Sequence, residues 1–444
     1  MKAPRTLAVL LFGAVVGEVA ENTNGKPVFA YEPAWAEHGP GIPLSLSLPM
    51  AALDHGPTAV APYLWGLLPD SEVRLEAIAR AISPRIPSGN PVALLGEVGE
   101  DCAGAVQFVR PDRMESLEED GVEWLDEAAV AELLRRCREG EAPSFRAGGR
   151  TRGKYSVAGM QPKVALHRRE SVDGFAWGTP RGRTPTTHIL KPPIPHLRGQ
   201  IENEHFCLRL ASALGFAAAS SEVMSFGDER AIVVERYDRI EQPDGSFARV
   251  HQEDMCQALA IMPKDKYQQG GGPSLERIVR DVLRGSAAPA KVVEADVRRF
   301  LAAVALNWVI AGTDAHGKNF SIVHGRDGAF RLAPLYDLMS ALPYEDLRDV
   351  TMSFKVGGHY DFGLLPRHWE RLARNCRFDP GELVAIVAGI VARCPDLALD
   401  MAARCRSDGL ENPVTETLSD MIANRCSAIS AAYGPGSLDG TDDS

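Results

Sequence analysis

The stretch NWVIAGTDAHGKNFSI, residues 307–322, decides how the chain is read. It closes an apolar run in which Phe300, Val304 and Trp308 recur four residues apart, the spacing of one helix face. Gly312 breaks that helix, and the polar set Thr313, Asp314, His316, Lys318 and Asn319 follows at once. A β-prone run over 320–324, a turn at 325–328 and a returning strand, FRLAPLYD, predict an antiparallel hairpin. In such a hairpin the start of one strand lies beside the end of the other. Asn319 and Asp337 are therefore expected to meet at one end, with Asp314 on the loop above them.

Hard oxygen ligands holding a divalent cation, with a carboxylate beside them to orient a hydroxyl, are the needs of phosphoryl transfer. Asn319 and Asp337 suit the metal, and Asp314 suits the hydroxyl. Asp314 and Asn319 also keep the D-x-x-x-x-N spacing of a protein-kinase catalytic loop. A capped helix followed by an ordinary hairpin has the same spacing; the third oxygen ligand returning to the same place favours the catalytic reading.

NWVIAGTDAHGKNFSI followed by LAPLYDLMSALPY resembles the catalytic and metal-binding segments of HipA-type serine/threonine kinases, the toxin halves of toxin–antitoxin pairs. Further segments, from about Leu7 to Tyr433, resemble that family in order. The resemblance implies an α+β fold: a β-rich N-terminal domain (1–112), a connector (113–142), a nucleotide-binding small lobe (143–240), a helical catalytic lobe (241–434) and a disordered tail (435–444). The core is expected to be bilobal and protein-kinase-like.

SVAGMQPK resembles the family's phosphate loop. On that basis Ala158, Gly159, Met160, Gln161, Pro162 and Lys163 are expected to wrap the phosphates of ATP, although the glycines alone equally describe a surface linker. Ser156 is the implied autophosphorylation site. Pro162 stands where an acidic residue is expected and removes one backbone donor. TPTTHILKPP puts Lys191 at the end of a strand (186–190), the kinase position for contacting α- and β-phosphates. Glu204, at the start of the helix in IENEHFCLRLASALG, is its expected partner. AIVVERYDR (231–239) resembles the hinge, so Glu235, Arg236 and Tyr237 are expected at the adenine. His316, Gly317, Lys318, Tyr336, Leu338 and Met339 complete the implied nucleotide contacts. Glu253 and Asp254 are expected in the first turn of a helix, as structural residues.

The N-terminal third reads as short β-prone runs interrupted by one helix, 71–82, and offers no catalytic group. Its opening, MKAPRTLAVLLFGAVVGEVAE, has the basic start and apolar run of a secretory signal. Two strands turning at Gly13 fit it better. The C-terminal part reads as helices, one starting at Asp379-Pro380 and another spanning 414–433.

Composition sets bounds. The 444 residues carry 48 basic and 59 acidic side chains, net −11, which weighs against charge-driven nucleic-acid binding by the chain alone. A local basic patch, Arg146, Arg150, Arg152 and Lys154, is the exception. Eight cysteines without C-x-x-C spacing indicate neither zinc nor disulfides and fit a reducing cytoplasm. His316 and His359 lack a second nitrogen or sulfur ligand for metal. No window has a membrane span's length of apolar residues.

The implied cofactors are ATP and Mg2+. The implied partners are a small helix-turn-helix antitoxin, DNA through that antitoxin, and a protein substrate, a translation component such as an aminoacyl-tRNA synthetase. A small-molecule or lipid phosphotransferase, and a non-catalytic ATP-binding co-repressor, are the alternatives.

Overall fold

A computed structural model describes residues 5–82, 86–118, 120–141, 145–147, 150–152, 156, 158–171, 174–410 and 412–433. The tail 435–444 and Lys154 of the basic patch lie outside them. The opening residues form a hairpin, Thr6–Leu11 with Ala14–Glu21. Phe12 and Gly13 both take positive φ, 53° and 81°, as a tight hairpin turn demands. With Pro27–Tyr31, Asp54–His55 and Val106–Val109 they make a five-stranded antiparallel sheet.

Four helices pack with that sheet, where one was expected. Besides Glu72–Ile82 there are Pro33–His38, Pro57–Gly66 and Pro91–Val98. Each additional helix opens with a proline, which supplies a helical φ and has no N–H to leave orphaned. The longest also contains Pro62 yet buries Val60, Tyr63 and Leu64. Prolines read as breakers are here helix starts.

The second layer is a six-stranded antiparallel sheet. Its order is Ser221–Phe226, Glu229–Glu235, His188–Lys191, Val164–Ser171, Gly174–Arg181, Gly121–Leu125. The edge strand Gly121–Leu125 comes from the stretch expected to be a connector. Helix Glu127–Arg138, capped by Asp126, follows it and packs Val130, Leu133 and Leu134 against Leu166, Trp177 and Val233.

The largest core belongs to the helical part. Helix Ala290–Val309 runs through it with Phe300, Leu301, Val304 and Trp308 buried. Pro366–Asn375, Pro380–Ser407 and Pro413–Ala432 surround it. Asp379 caps the second of these through the Glu382 N–H, 2.7 Å. Ala311 ends helix Ala290–Val309 in the left-handed conformation (φ 55°), one residue before the expected break at Gly312. The hairpin beyond is shorter than expected: Ser321–His324 pairs with Phe330–Leu332 only, so the returning strand stops before Asp337. Gln252–Asp254 adds a third strand to it. Glu253 therefore lies in a buried strand rather than a helical turn, bonded to the Leu46 N–H at 2.8 Å and to His324 at 2.9 Å. Asp254 caps the short helix that follows. The eight cysteines are free and buried. Among the described residues no helix is long and apolar enough to cross a membrane.

A buried charge cluster joins the N-terminal region to the core. Asp101 accepts from Arg239 (2.9 Å), Arg249, and both the N–H (2.9 Å) and hydroxyl (2.6 Å) of Thr186. Asp238 pairs with Arg236 at 2.9 Å and accepts from the Gly104 N–H at 2.6 Å. Burial opposes ionisation of Asp101, but Arg249, Arg239 and Arg236 outweigh it and hold the carboxyl well below its usual range. Replacing Asp101 with Ala removes the carboxylate of Arg249 and leaves Arg236 and Arg239 sharing Asp238, so a loss of ~3–5 kcal/mol is expected in urea unfolding. That difference should narrow below about pH 4, where carboxylates of the unfolded chain take up protons. Asp346→Ala, at an exposed pair with Arg348, should leave the midpoint unchanged.

Candidate active site

A cavity of about 520 Å³ opens between the six-stranded sheet and the helical part. One wall is the loop after helix Ala290–Val309. There the Asn319 amide NH2 donates to the Asp314 carbonyl at 2.7 Å, which tightens the loop and leaves the amide oxygen on the other arm for a cation. The Asp337 carboxylate reaches the same cavity from a left-handed backbone (φ 55°), an uncommon conformation for a non-glycine residue. The hairpin alone does not deliver it; this backbone twist beyond the strand end does.

Lys191 joins the two parts. Its ammonium lies 2.6 Å from Glu204 and 2.7 Å from Asp337. Burial disfavours the charge, yet Asp337 and Glu204 together raise the lysine above its ordinary value. Asp337 is held well below the carboxylate range, its burial overcome by Lys191 and Lys163. Glu204 is 2% exposed, and burial pushes it upward. It sits in the second turn of helix Gln200–Ala213, which starts slightly ahead of the expected position.

The loop expected to hold phosphate forms the opposite rim. Residues 158–163 all border the cavity, as does Ser156. Lys163 donates to the Ala158 carbonyl at 2.7 Å, and burial together with repulsion by Lys191 brings it down to about 8. Gly159 takes φ 103°, open to glycine and strained for other residues. Ser156 is buried, its hydroxyl donating to the Leu67 carbonyl at 2.6 Å and its N–H to the Asp101 carbonyl at 3.0 Å.

Glu235, Arg236 and Tyr237 border the deep end. The Arg236 side chain is turned into the buried cluster, bonding the Thr186 hydroxyl and the Cys102 carbonyl, both at 2.8 Å, and its N–H donates to the Thr187 carbonyl at 2.9 Å, so its guanidinium is turned away from the role expected of it. The rings of Tyr237 and Tyr336 stack 5.9 Å apart. Met339 lines the cavity as well, whereas Gly317 and Leu338 do not. Gly317 is buried, donating its N–H to the Lys266 carbonyl at 3.2 Å, and Leu338 is in the core.

Asp314 faces the mouth with its side chain 58% exposed. Desolvation by the cavity walls raises its carboxyl, with Asp337 adding repulsion and a hydrogen bond from the Tyr267 hydroxyl pulling the other way. His316 lies edge-on to Tyr267, ring centroids 5.0 Å apart, and burial beside Lys266 drops it to about 3, so it is neutral. Tyr267, Lys266, Asp70 and Asp254 are site residues that sequence reading missed. KDKY (264–267) has no periodic or spaced pattern, and Asp70 reads as an ordinary residue ahead of a helix.

A strand lysine tied to a helix glutamate, a loop Asp/Asn pair and a second aspartate around one interlobe cavity define a phosphotransferase of the protein-kinase type. The family model of the HipA N-terminal domain matches residues 7–109, and that of the HipA-like C-terminal domain matches 155–398. The chain is 34% identical over 436 residues to the putative kinase Y4mE of Sinorhizobium fredii, across 96% of this chain and 98% of that one. It is 31% identical over 354 residues to the serine/threonine-protein kinase toxin HipA of Shewanella oneidensis, across 77% of this chain and 76% of the relative. The solved complex of Shewanella oneidensis HipA with HipB and operator DNA has the same fold, with TM-score 0.79 at 23% identity over 98% of this chain and 100% of that chain. The chain belongs to the HipA family of serine/threonine-protein kinase toxins.

Lys191→Met leaves Glu204 buried without its cation and is expected to cost ~3–5 kcal/mol. Glu204→Gln in the same chain should recover much of the loss. The double-mutant cycle, followed by thermal unfolding, checks for a coupling of more than about 1 kcal/mol.

Proposed function

We propose that this chain is an ATP- and Mg2+-dependent serine/threonine protein kinase, the toxin of a toxin–antitoxin pair. The observation that carries the reading is the convergence of Asp314, Asn319, Asp337 and Lys191 on one cavity. The donor set fits Mg2+: two hard protein oxygens, from Asn319 and Asp337, leave positions for water and phosphate. Asp337 already carries a cation, the Lys191 ammonium at 2.7 Å. When bound, the metal would neutralise phosphate charge.

The chain's own groups do the rest. Backbone of Glu235 and Tyr237 meets the adenine edge beside the Tyr237–Tyr336 stack. Lys191, Lys163 and the 158–163 loop hold the phosphates, with Pro162 contributing no N–H. Asp314 orients the acceptor hydroxyl and takes its proton as the hydroxyl oxygen bonds the terminal phosphorus and the bond to the ADP oxygen breaks. Neutral His316 and exposed Tyr267 shape the mouth without competing for that proton. Ser156 is the autophosphorylation site: a phosphate with nearly two negative charges cannot keep a buried seat against the Leu67 carbonyl, so modification expels the loop. A HipB-like helix-turn-helix antitoxin is the partner, and contact with DNA runs through it. The substrate is a translation component.

With labelled ATP and cell lysate, wild-type protein should label a protein band. Asp314→Ala and Asp337→Ala should each lose about 10²-fold or more of that label. A labelled metabolite with no labelled protein overturns the protein-kinase reading. Tyr267→Phe removes the hydrogen bond that lowers Asp314, so its pKa rises further. Activity requires the carboxylate and falls as pH drops through that pKa. The acid limb of the pH–rate profile should therefore move to higher pH, measurable on a single phosphoacceptor.

A further inference from the structure

Asp70 belongs to the N-terminal region, in the loop between helices Pro57–Gly66 and Glu72–Ile82, yet its carboxylate stands in the wall of the catalytic cavity. It is buried and holds two ammonium groups at once, Lys266 at 3.1 Å and Lys318. The lysine side chains are 8% and 4% exposed. Lys318 stands next to Asn319 on the loop that carries Asp314. Lys266 is tied to the same loop through the Gly317 N–H.

Each lysine shares Asp70 with the other. Burial opposes ionisation of Asp70, but Lys318 and Lys266 lower it nonetheless, so one buried carboxylate is shared by two ammonium groups. Asp254, the other carboxyl acting on Lys318, is lifted to about 7 by burial and supplies less than a full negative charge. Asp314 acts on Lys266 from the mouth, beside Tyr267 and neutral His316. Two ammonium groups that share one carboxylate in a desolvated wall are placed to meet a further anion. The same segment grips the opposite rim: the Asp70 N–H donates to the Gly159 carbonyl at 3.3 Å and Arg74 to the Gln161 carbonyl at 3.1 Å.

We propose that Asp70 is a positioning residue for phosphoryl transfer, fixing Lys266 and Lys318 where they meet the terminal phosphoryl group of the bound nucleotide. This rests on the kinase reading above. Asp70 touches neither nucleotide nor acceptor; it acts through the lysines. The N-terminal region thereby completes the catalytic site.

Full-length Asp70→Asn, which keeps the side-chain shape, should fold with wild-type circular dichroism. Its kcat should fall about 10- to 100-fold while KM for ATP moves less than about 3-fold. Asp70→Glu should restore part of kcat. Asp70→Asn/Lys318→Met should be no slower than the slower single variant, because the two act as one unit. A second readout needs no transfer. By calorimetry, Lys318→Met should weaken a non-hydrolysable ATP analogue about 10-fold while leaving ADP affinity in place. Wild-type kcat in folded Asp70→Asn overturns the proposal. So does equal weakening, or no weakening, of analogue and ADP by Lys318→Met. If Asp70→Asn does not fold, Asp70→Glu and the calorimetric preference decide. A wild-type chain that labels no protein would sink the kinase reading, while the triphosphate-over-ADP preference still rules on the lysines.

Discussion

A single ammonium, that of Lys191, sits between the carboxylates of Glu204 and Asp337 with almost no water around it. Lys191 and Glu204 are buried while the Asp337 side chain is 36% exposed to the cavity, so removing the lysine leaves Glu204 as an uncompensated charge in a low-dielectric interior. The elements that carry them come from three places: a strand of the six-stranded sheet, the helix Gln200–Ala213, and the segment beyond the three-stranded hairpin. The cavity exists because those elements must be held at the distances that the charges require.

What was readable in the sequence follows the range of the interactions. The helix ending at Val309, the polar loop after it and the hairpin are local, and their periodicity and turn residues announce them. Lys191 and Glu204 are only 13 residues apart, so a strand followed by a helix suffices to pair them. Asp337 lies 146 residues from Lys191 and was found through its chemistry, as a third oxygen ligand. Its left-handed backbone left no mark that a reader of residue types would notice.

The parts that escaped are those set by distant packing. Asp70 and Lys318 are 248 residues apart, and nothing about either in isolation suggests the other. Tyr267 reaches Asp314 from an irregular loop with no period to detect. Three proline-led helices were missed because the same residue ends one kind of element and begins another. Arg236 was placed correctly along the chain, but its guanidinium is committed to a buried cluster that only tertiary structure forms.

That cluster has a consequence for how the chain can be divided. Asp101 comes from the segment covered by one family model, while Arg236, Arg239 and Arg249 come from the other. Cutting between them would part Asp101 from its bases and leave the three arginines with Asp238 as their remaining buried carboxylate. The two matched segments are thus one physical object, joined at the level of charge even where they are separable in an alignment.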